Sequence, residues 1–351
     1  MLETLPGTAK DVVDSEDPRA AIWEMLRAQW RFSALYAFVD LDLAGWLADG
    51  PLTAQDLAQR AGLHQEALDR LLRTAAGSGL VRSSRTGTGP VQYALTPVGE
   101  TLRADAPRSM RSVVIPQGAP DFLDAMGSIS EAVRNGKSTF VAQHGSMYEY
   151  LASRPEARHH FDAHMATRSR SIAEAVVAAY DFTGVGTIAD IGGGVGTVVA
   201  TVLRAHPEMR SILFELPPVL TEAAKFLAGQ GVADRCDLVS GDFFTAVPAA
   251  DAHLLSNIVH NWNDEDALVI LRNVRSVMPA HGRVLLLDIL LPEDDRPHLG
   301  KELDMRMLAL YDGARERTES AYLALLARAG LRPNRLIELP YALSLIEALP
   351  V

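Results

Sequence analysis

Apolar residues recur at helical spacing through the first fifty positions, at Ile22, Met25, Leu26, Leu35, Phe38, Leu41, Leu43, Trp46 and Leu47, and this period predicts helix over residues 20–50. The next stretch is punctuated. Thr53 stands as an N-cap with Asp56 where a capping box places Glu, so a helix opens within residues 51–58; Gly62 ends it, and a second runs from His64 to Ala76. Gly77, Ser78 and Gly79 then turn the chain into Val81, and a polar Gly-rich turn from Ser83 to Pro90 precedes a returning strand at 91–95. Helix, turn, helix and a two-stranded wing predict a winged-helix module. Residues 105–180 keep a mostly helical pattern. Beyond them the runs at 187–191, 211–214, 237–239, 252–256 and 284–287 are short and apolar, and predict the buried parallel strands of an α/β fold.

The first of those runs passes through Asp190 and Ile191 and stops in Gly192, Gly193, Gly194, Val195 and Gly196. Glycines at the carboxyl end of such a strand let a ligand lie directly on backbone N–H groups. The dinucleotide pattern G-x-G-x-x-G does not fit, because the third position after Gly192 and Gly194 is Thr197; a P-loop is excluded because no Gly-Lys-Ser/Thr follows. What fits D-x-G-G-G-x-G is the turn of an S-adenosylmethionine enzyme, whose ligand has a ribose and an adenine but no phosphate. The second run ends in Glu215, about 20 residues on, where this architecture sets an acid against the ribose hydroxyls. The third leads into Gly241, Asp242, Phe243 and Phe244, where Asp242 can accept from an adenine amino group and Phe243 can cover the base.

These motifs, with Phe214 to Pro217, Val259 to Asp264 and Arg315 to Thr318, resemble the ordered motifs of the S-adenosylmethionine-dependent small-molecule O-methyltransferases. That family includes plant phenylpropanoid enzymes and bacterial enzymes that tailor aromatic natural products. The resemblance runs from about residue 20 to the C-terminus. It implies a Rossmann-like methyltransferase domain at 181–351, a mainly helical winged-helix dimerisation domain at 20–105, a helical linker lining the substrate pocket at 106–180, and a flexible N-terminus at 1–19. In the family the winged module joins two subunits into a homodimer and helps to close the active site.

Methyl transfer to oxygen is an in-line displacement, so the protein must position the acceptor and remove its proton. A phenol, with a pKa of about 10, needs a base near neutrality, and histidine is suited to that. By resemblance the base is His260, in the turn after the strand at 252–256, flanked by Asp288 and Glu316, which hold its tautomer and steady the imidazolium. Resemblance also places Ser256 and Arg158 at the cofactor, leaves Trp262 open between adenine and core, and sets Met165, Asn261, Arg306 and Met307 along the acceptor pocket. Asn261 and Ser256 stand where plant members have Asp and Lys, as in the bacterial branch that methylates polyketide-derived aromatics. The expected activity is methylation of a phenolic or quinonoid hydroxyl of an aromatic secondary metabolite. N- or C-methylation on the same fold is the alternative.

A different class, a ligand-responsive transcription regulator, would also use a winged helix. Residues 51–105 hold six Arg and no Lys against five acids, and the whole chain carries a net charge of −11, so no nucleic-acid partner is expected. The 351 residues suffice for two domains, and no apolar run approaches the ~20 residues of a membrane span. Cys236 is the single cysteine, and the N-terminus carries Glu3, Asp11, Asp14, Glu16 and Asp17 rather than a signal peptide, so a cytoplasmic location is expected. His160 and His164 have the i, i+4 spacing of a helical metal pair, but the Glu of H-E-x-x-H is missing and no metal is expected.

Overall fold

Residues 18–107 and 109–351 are described by the computed structural model; most of the expected flexible N-terminus at 1–19 lies outside them. The chain divides into two bodies. One takes the described residues up to Asp124 together with Tyr150–His164, and the other takes Ala125–Glu149 and Met165–Val351. The helical stretch 106–180 contributes residues to both bodies.

The first body opens with the helices Pro18–Asp40 and Leu43–Trp46. Strand β1 (Leu52–Thr53) leads to the helix Ala54–Ala61, whose N-cap Thr53 accepts the Asp56 N–H at 3.0 Å. Gly62, at φ 68, ends that helix in the left-handed conformation that favours glycine. The helix Gln65–Gly77 and strands β2 (Val81–Ser84) and β3 (Gln92–Leu95) complete the winged helix. The wing has three strands, ordered β1-β3-β2, because Leu52 and the cap residue Thr53 pair with Tyr93 and Gln92. Phe38, Leu43, Leu57 and Leu72 form its fully buried centre.

The second body is an eight-stranded sheet of β4 (Thr187–Ile191), β5 (Arg210–Glu215), β6 (Cys236–Ser240), β7 (Ala252–Ser256), β8 (Arg283–Leu291), β9 (Arg317–Thr318), β10 (Leu331–Glu338) and β11 (Leu343–Pro350). The order is β10-β11-β8-β7-β4-β5-β6, with β9 beside β8. Strands β4 to β8 run parallel, whereas β11 is antiparallel to β8 and β10 to β11. Alternate side chains serve opposite faces: Ile188, Leu254 and Leu285 enter one core, and Ala189, Leu255 and Leu286 the other. From β4 the chain builds outward through β5 and β6, then returns to place β7 on the other side of β4. That reversal opens a crevice at the carboxyl ends of β4 and β7, where open α/β sheets bind ligands. Among the described residues no helix is long and apolar enough to cross a membrane.

One expected boundary is corrected. Asp288 does not end its strand: β8 continues to Leu291, because β11 pairs Ser344 with Asp288 and Leu343 with Ile289, and β9 takes Leu290 and Leu291. The charged residue interrupts the apolar run without breaking the ladder, since its backbone pairs like any other.

Candidate active site

Beyond β4, Gly192, Gly194 and Gly196 hold φ of 71, 60 and 86, so the turn needs glycine. A Cβ on Gly193 would lie 2.4 Å from Asp190, which shows that the Asp190 carboxyl sits directly beneath the turn. Asp190 is wholly buried, and neither of its oxygens finds a hydrogen bond among the described residues. Burial first, then the charge of Glu215, pushes its pKa up to about 7. Above the turn, a Cβ on Gly194 would meet nothing within 4 Å, so that face is open. Glu215, at the end of β5, accepts from Gly194 N–H at 3.1 Å and from Leu216 N–H at 2.8 Å.

Asp242 Oδ1 takes the Phe244 N–H at 2.9 Å and shapes the loop after β6. Phe243 meets Trp262 edge-on with centroids 5.9 Å apart, and Trp262 is nearer still to Phe244, at 4.7 Å. Trp262 thus belongs to an aromatic cluster that backs Phe243. No Lys or Arg occurs in 187–197, 211–217 or 241–244. An open glycine turn with acids and an aromatic but no cation fits a ligand that offers hydroxyls and an amine and carries no phosphate.

His260 lies in the 3-10 turn Val259–Asn261 after β7. The turn is clamped: Arg315 N–H donates to His260 O at 2.9 Å, and the buried Arg317 gives Nη1 to Val259 O at 3.0 Å and Nη2 to Trp262 O at 2.8 Å. Asp264 Oδ1 holds the same guanidinium at 2.7 Å. The imidazole Nδ1 stands 3.1 Å from Glu316 Oε1 and 3.8 Å from Asp288 Oδ1, with all three side chains buried. A carboxylate can only accept, so Nδ1 carries the proton and Nε2 presents its lone pair. Burial, the largest influence, works against a charged His260, but Asp288 and then Glu316 outweigh it and raise the pKa above the usual histidine value. Asp288 itself is pushed up to about 6, chiefly by burial. His253, on β7, instead points its Nε2 at Pro248 O, 2.9 Å away.

The remaining expected residues fall in several places. Ser256 ends β7 and its hydroxyl accepts from Asn257 Nδ2 at 3.2 Å. Asn261 Nδ2 is turned back to Asn257 O at 2.9 Å. Met307 is buried and Arg306 half-buried on the helix Leu299–Leu310, and Met165 is half-buried on the helix Pro155–Ala179. Arg158, in the first body, pairs with Asp162 one turn on at 2.9 Å. Arg317, Tyr322 and Arg168 were not expected at the site. Arg317 stands in the Arg315 to Thr318 motif without any chemical sign of its role as a clamp. Tyr322 Oη donates to Asp288 Oδ2 at 2.7 Å from the helix Glu319–Arg328, a partnership that only the fold reveals.

The O-methyltransferase domain family matches residues 127–332, and the O-methyltransferase dimerisation domain family matches residues 23–105. A phenazine O-methyltransferase from Lysobacter antibioticus is 39% identical over 330 residues, 93% of this chain and 95% of that protein. An 8-amino-8-demethylriboflavin N,N-dimethyltransferase from Streptomyces davaonensis is 39% identical over 303 residues, 84% of this chain and 85% of that protein. The crystal structure of a methyltransferase of calicheamicin biosynthesis in its SAH-bound form superposes with a TM-score of 0.83 at 34% identity, covering 96% of this chain and all of that one. The chain belongs to the S-adenosylmethionine-dependent small-molecule O-methyltransferase family.

Proposed function

We propose that the protein methylates a phenolic or quinonoid hydroxyl of an aromatic secondary metabolite, with His260 as general base. One observation carries the reading: His260 Nδ1 is held by Glu316 beside Asp288, while Nε2 makes no hydrogen bond within the described protein. The two acids fix the tautomer and bear the charge that appears when Nε2 takes the acceptor's proton. Bound S-adenosylmethionine supplies an electrophilic methyl group on a sulfonium. His260 would take the proton of the acceptor hydroxyl at Nε2 and so make its oxygen the nucleophile, while Glu316 and Asp288 hold the imidazolium. Glu215 and the open face at Gly194 would hold the ribose, Asp242 and Phe243 the adenine, and Asp190, beneath the turn, would keep the glycines in place. Met165, Asn261 and Met307 would line the acceptor side.

The dimerisation domain carries the second part of the proposal, a homodimer. On the helix Pro18–Asp40, Ile22, Trp23, Met25, Leu26 and Trp30 are all more than 40% exposed within the single chain. A contiguous apolar stripe of this kind marks an interaction surface.

Incubation with S-adenosylmethionine and a panel of polycyclic phenols, with mass spectrometry of the products, tests the activity. O-methylated product from wild type and ~10²–10⁴-fold slower product formation by His260→Ala is the expected result. The dimethyltransferase relative makes N-methylation the second reading, and amino-substituted acceptors in the panel separate the two. Methylation confined to amines would replace the first reading by the second.

A further inference from the structure

Asn257 lies between β7 and the turn that carries His260, and its φ is 55. Asparagine tolerates that left-handed conformation better than most side chains, which alone could account for its presence. Its bonds go further. The N–H donates to Leu287 O at 2.8 Å, on β8 immediately before Asp288, and the carbonyl accepts from Asn261 Nδ2 at 2.9 Å, immediately after His260. In the side chain, Nδ2 donates to Ser256 Oγ at 3.2 Å and Oδ1 accepts from Arg168 Nη2 at 2.6 Å. The residue is buried, with each of its polar groups engaged.

The bond from Arg168 comes from a separate element. Arg168 lies on the helix Pro155–Ala179, three residues beyond Met165, and residues at that spacing share a helix face. Met165 is the residue proposed above to line the acceptor side. A hydrogen bond from a guanidinium is charge-assisted and stronger than one between neutral groups. The backbone of Asn257 thus fixes the base turn to β8, and its side chain fixes the acceptor-side helix to the same point. Glycine would meet the backbone conformation equally well and keep both backbone bonds. Only the side-chain bonds to Arg168 and Ser256 distinguish asparagine from it.

We propose that Asn257 is a positioning residue for methyl transfer: its side chain, gripped by Arg168, holds the acceptor-side helix in register with the turn that carries His260. This rests on the reading of His260 as the base and of Met165 as a wall of the acceptor pocket. Neither Asn257 nor Arg168 takes the proton. Their work is alignment, and a misplacement of about 1 Å between reacting groups can cost ~10²-fold in rate.

Steady-state kinetics of Asn257→Gly on the phenol that wild type methylates fastest, with calorimetric titration of SAH, test the tie. The kcat should fall ~10–10²-fold while SAH affinity stays within about twofold of wild type, the split expected of lost alignment rather than a lost fold. Asn257→Asp keeps an acceptor for Arg168 and tolerates positive φ, so it should recover most of the kcat. Arg168→Ala, at the other end of the bond, should show the same split, and it decides the matter where Asn257→Gly does not fold by circular dichroism. The double variant should be no slower than the slower single variant, because both remove one bond. A wild-type kcat in folded Asn257→Gly overturns the tie, since asparagine then serves only its backbone conformation. A fall in kcat matched by an equal loss of SAH affinity, or single losses that multiply in the double variant, also overturns it. A wild type that methylates no phenol fails the base reading and the tie together, whereas an active wild type whose Asn257→Gly variant keeps its kcat fails the tie alone.

Discussion

Tyr322 donates its phenolic proton to Asp288 Oδ2 at 2.7 Å, which leaves Asp288 Oδ1 facing His260. The bond divides the labour of the two acids: Glu316 holds the imidazole by a hydrogen bond, and Asp288 acts through its charge. Tyr322 is one of the groups that hold the Asp288 pKa down against burial. In Tyr322→Phe, Asp288 should protonate more readily and support a charged His260 less. The His260 pKa then falls, so the acid limb of the kcat/KM profile should move to lower pH. Stability should drop by about 1–3 kcal/mol, the cost of a buried acceptor left unpaired. An unmoved pH profile in a folded variant would show that Asp288 does not act on the base.

Removal of the base separates proton transfer from positioning. His260→Ala should lower turnover by ~10²–10⁴-fold, the usual contribution of a general base, with little change in S-adenosylmethionine affinity. Because neighbouring acids raise the His260 pKa, wild-type activity should still be climbing above pH 6.5, and residual activity of the variant should lose that limb. Full turnover by the variant on a phenol would remove His260 from the mechanism.

Glu215 has both oxygens already engaged by backbone N–H groups, so its carboxylate is held in place before any ligand arrives. Glu215→Ala should weaken S-adenosylmethionine binding by roughly 2–4 kcal/mol, the loss of charge-assisted hydrogen bonds to the ribose, and Glu215→Asp should recover part. Calorimetry that returns wild-type affinity for the Ala variant would assign the ribose elsewhere.

How much of this was legible beforehand depended on the range of each interaction. The glycine turn, the acids after β5 and β6 and the position of His260 are local patterns, and the strands predicted around them were found within a residue or two. Asp288 was singled out, but its strand was ended too early, because an acid inside an apolar run reads as a boundary when the pairing strand β11 is some 60 residues away. Tyr322, Arg317 and Arg168 escaped notice for the same reason. A tyrosine on a helix or an arginine in a turn has no periodic mark, and its partner is named only when the sheet is assembled. The third strand of the wing, two residues long, is equally invisible to any period.

Asp190 gives a stability test that does not depend on catalysis. Its ordinary pKa of 3.8 is pushed up to about 7 in the fold, so the folded chain keeps a proton that the unfolded chain releases. A raised carboxyl stabilises fully below the unfolded value, and that contribution is lost as pH rises through the folded one. Wild type should therefore lose stability relative to Asp190→Asn between pH 3.8 and about 7, by up to about 4 kcal/mol. Denaturant unfolding at several pH values measures the difference. Asp288 titrates in the same direction in both proteins and cancels from the comparison. A difference that does not change with pH would mean that Asp190 finds a partner in solution.

The apolar stripe on the helix Pro18–Asp40 makes the last prediction. Trp23 and Trp30 are 57% and 58% exposed on the single chain, a large penalty if water is their permanent neighbour. A second subunit that covers them should bury an obligate interface of ~2,000 Å² or more, and wild type should sediment as a dimer at micromolar concentration. The double variant Trp23→Glu and Trp30→Glu places charges in that interface and should give monomer or aggregate. A DNA-reading winged helix would behave otherwise: wild type would be retained on DNA in a salt-sensitive way, and the two charges would leave its oligomeric state alone. A wild-type monomer that keeps full methyltransferase activity would refute the dimer while leaving the site in the second body untouched.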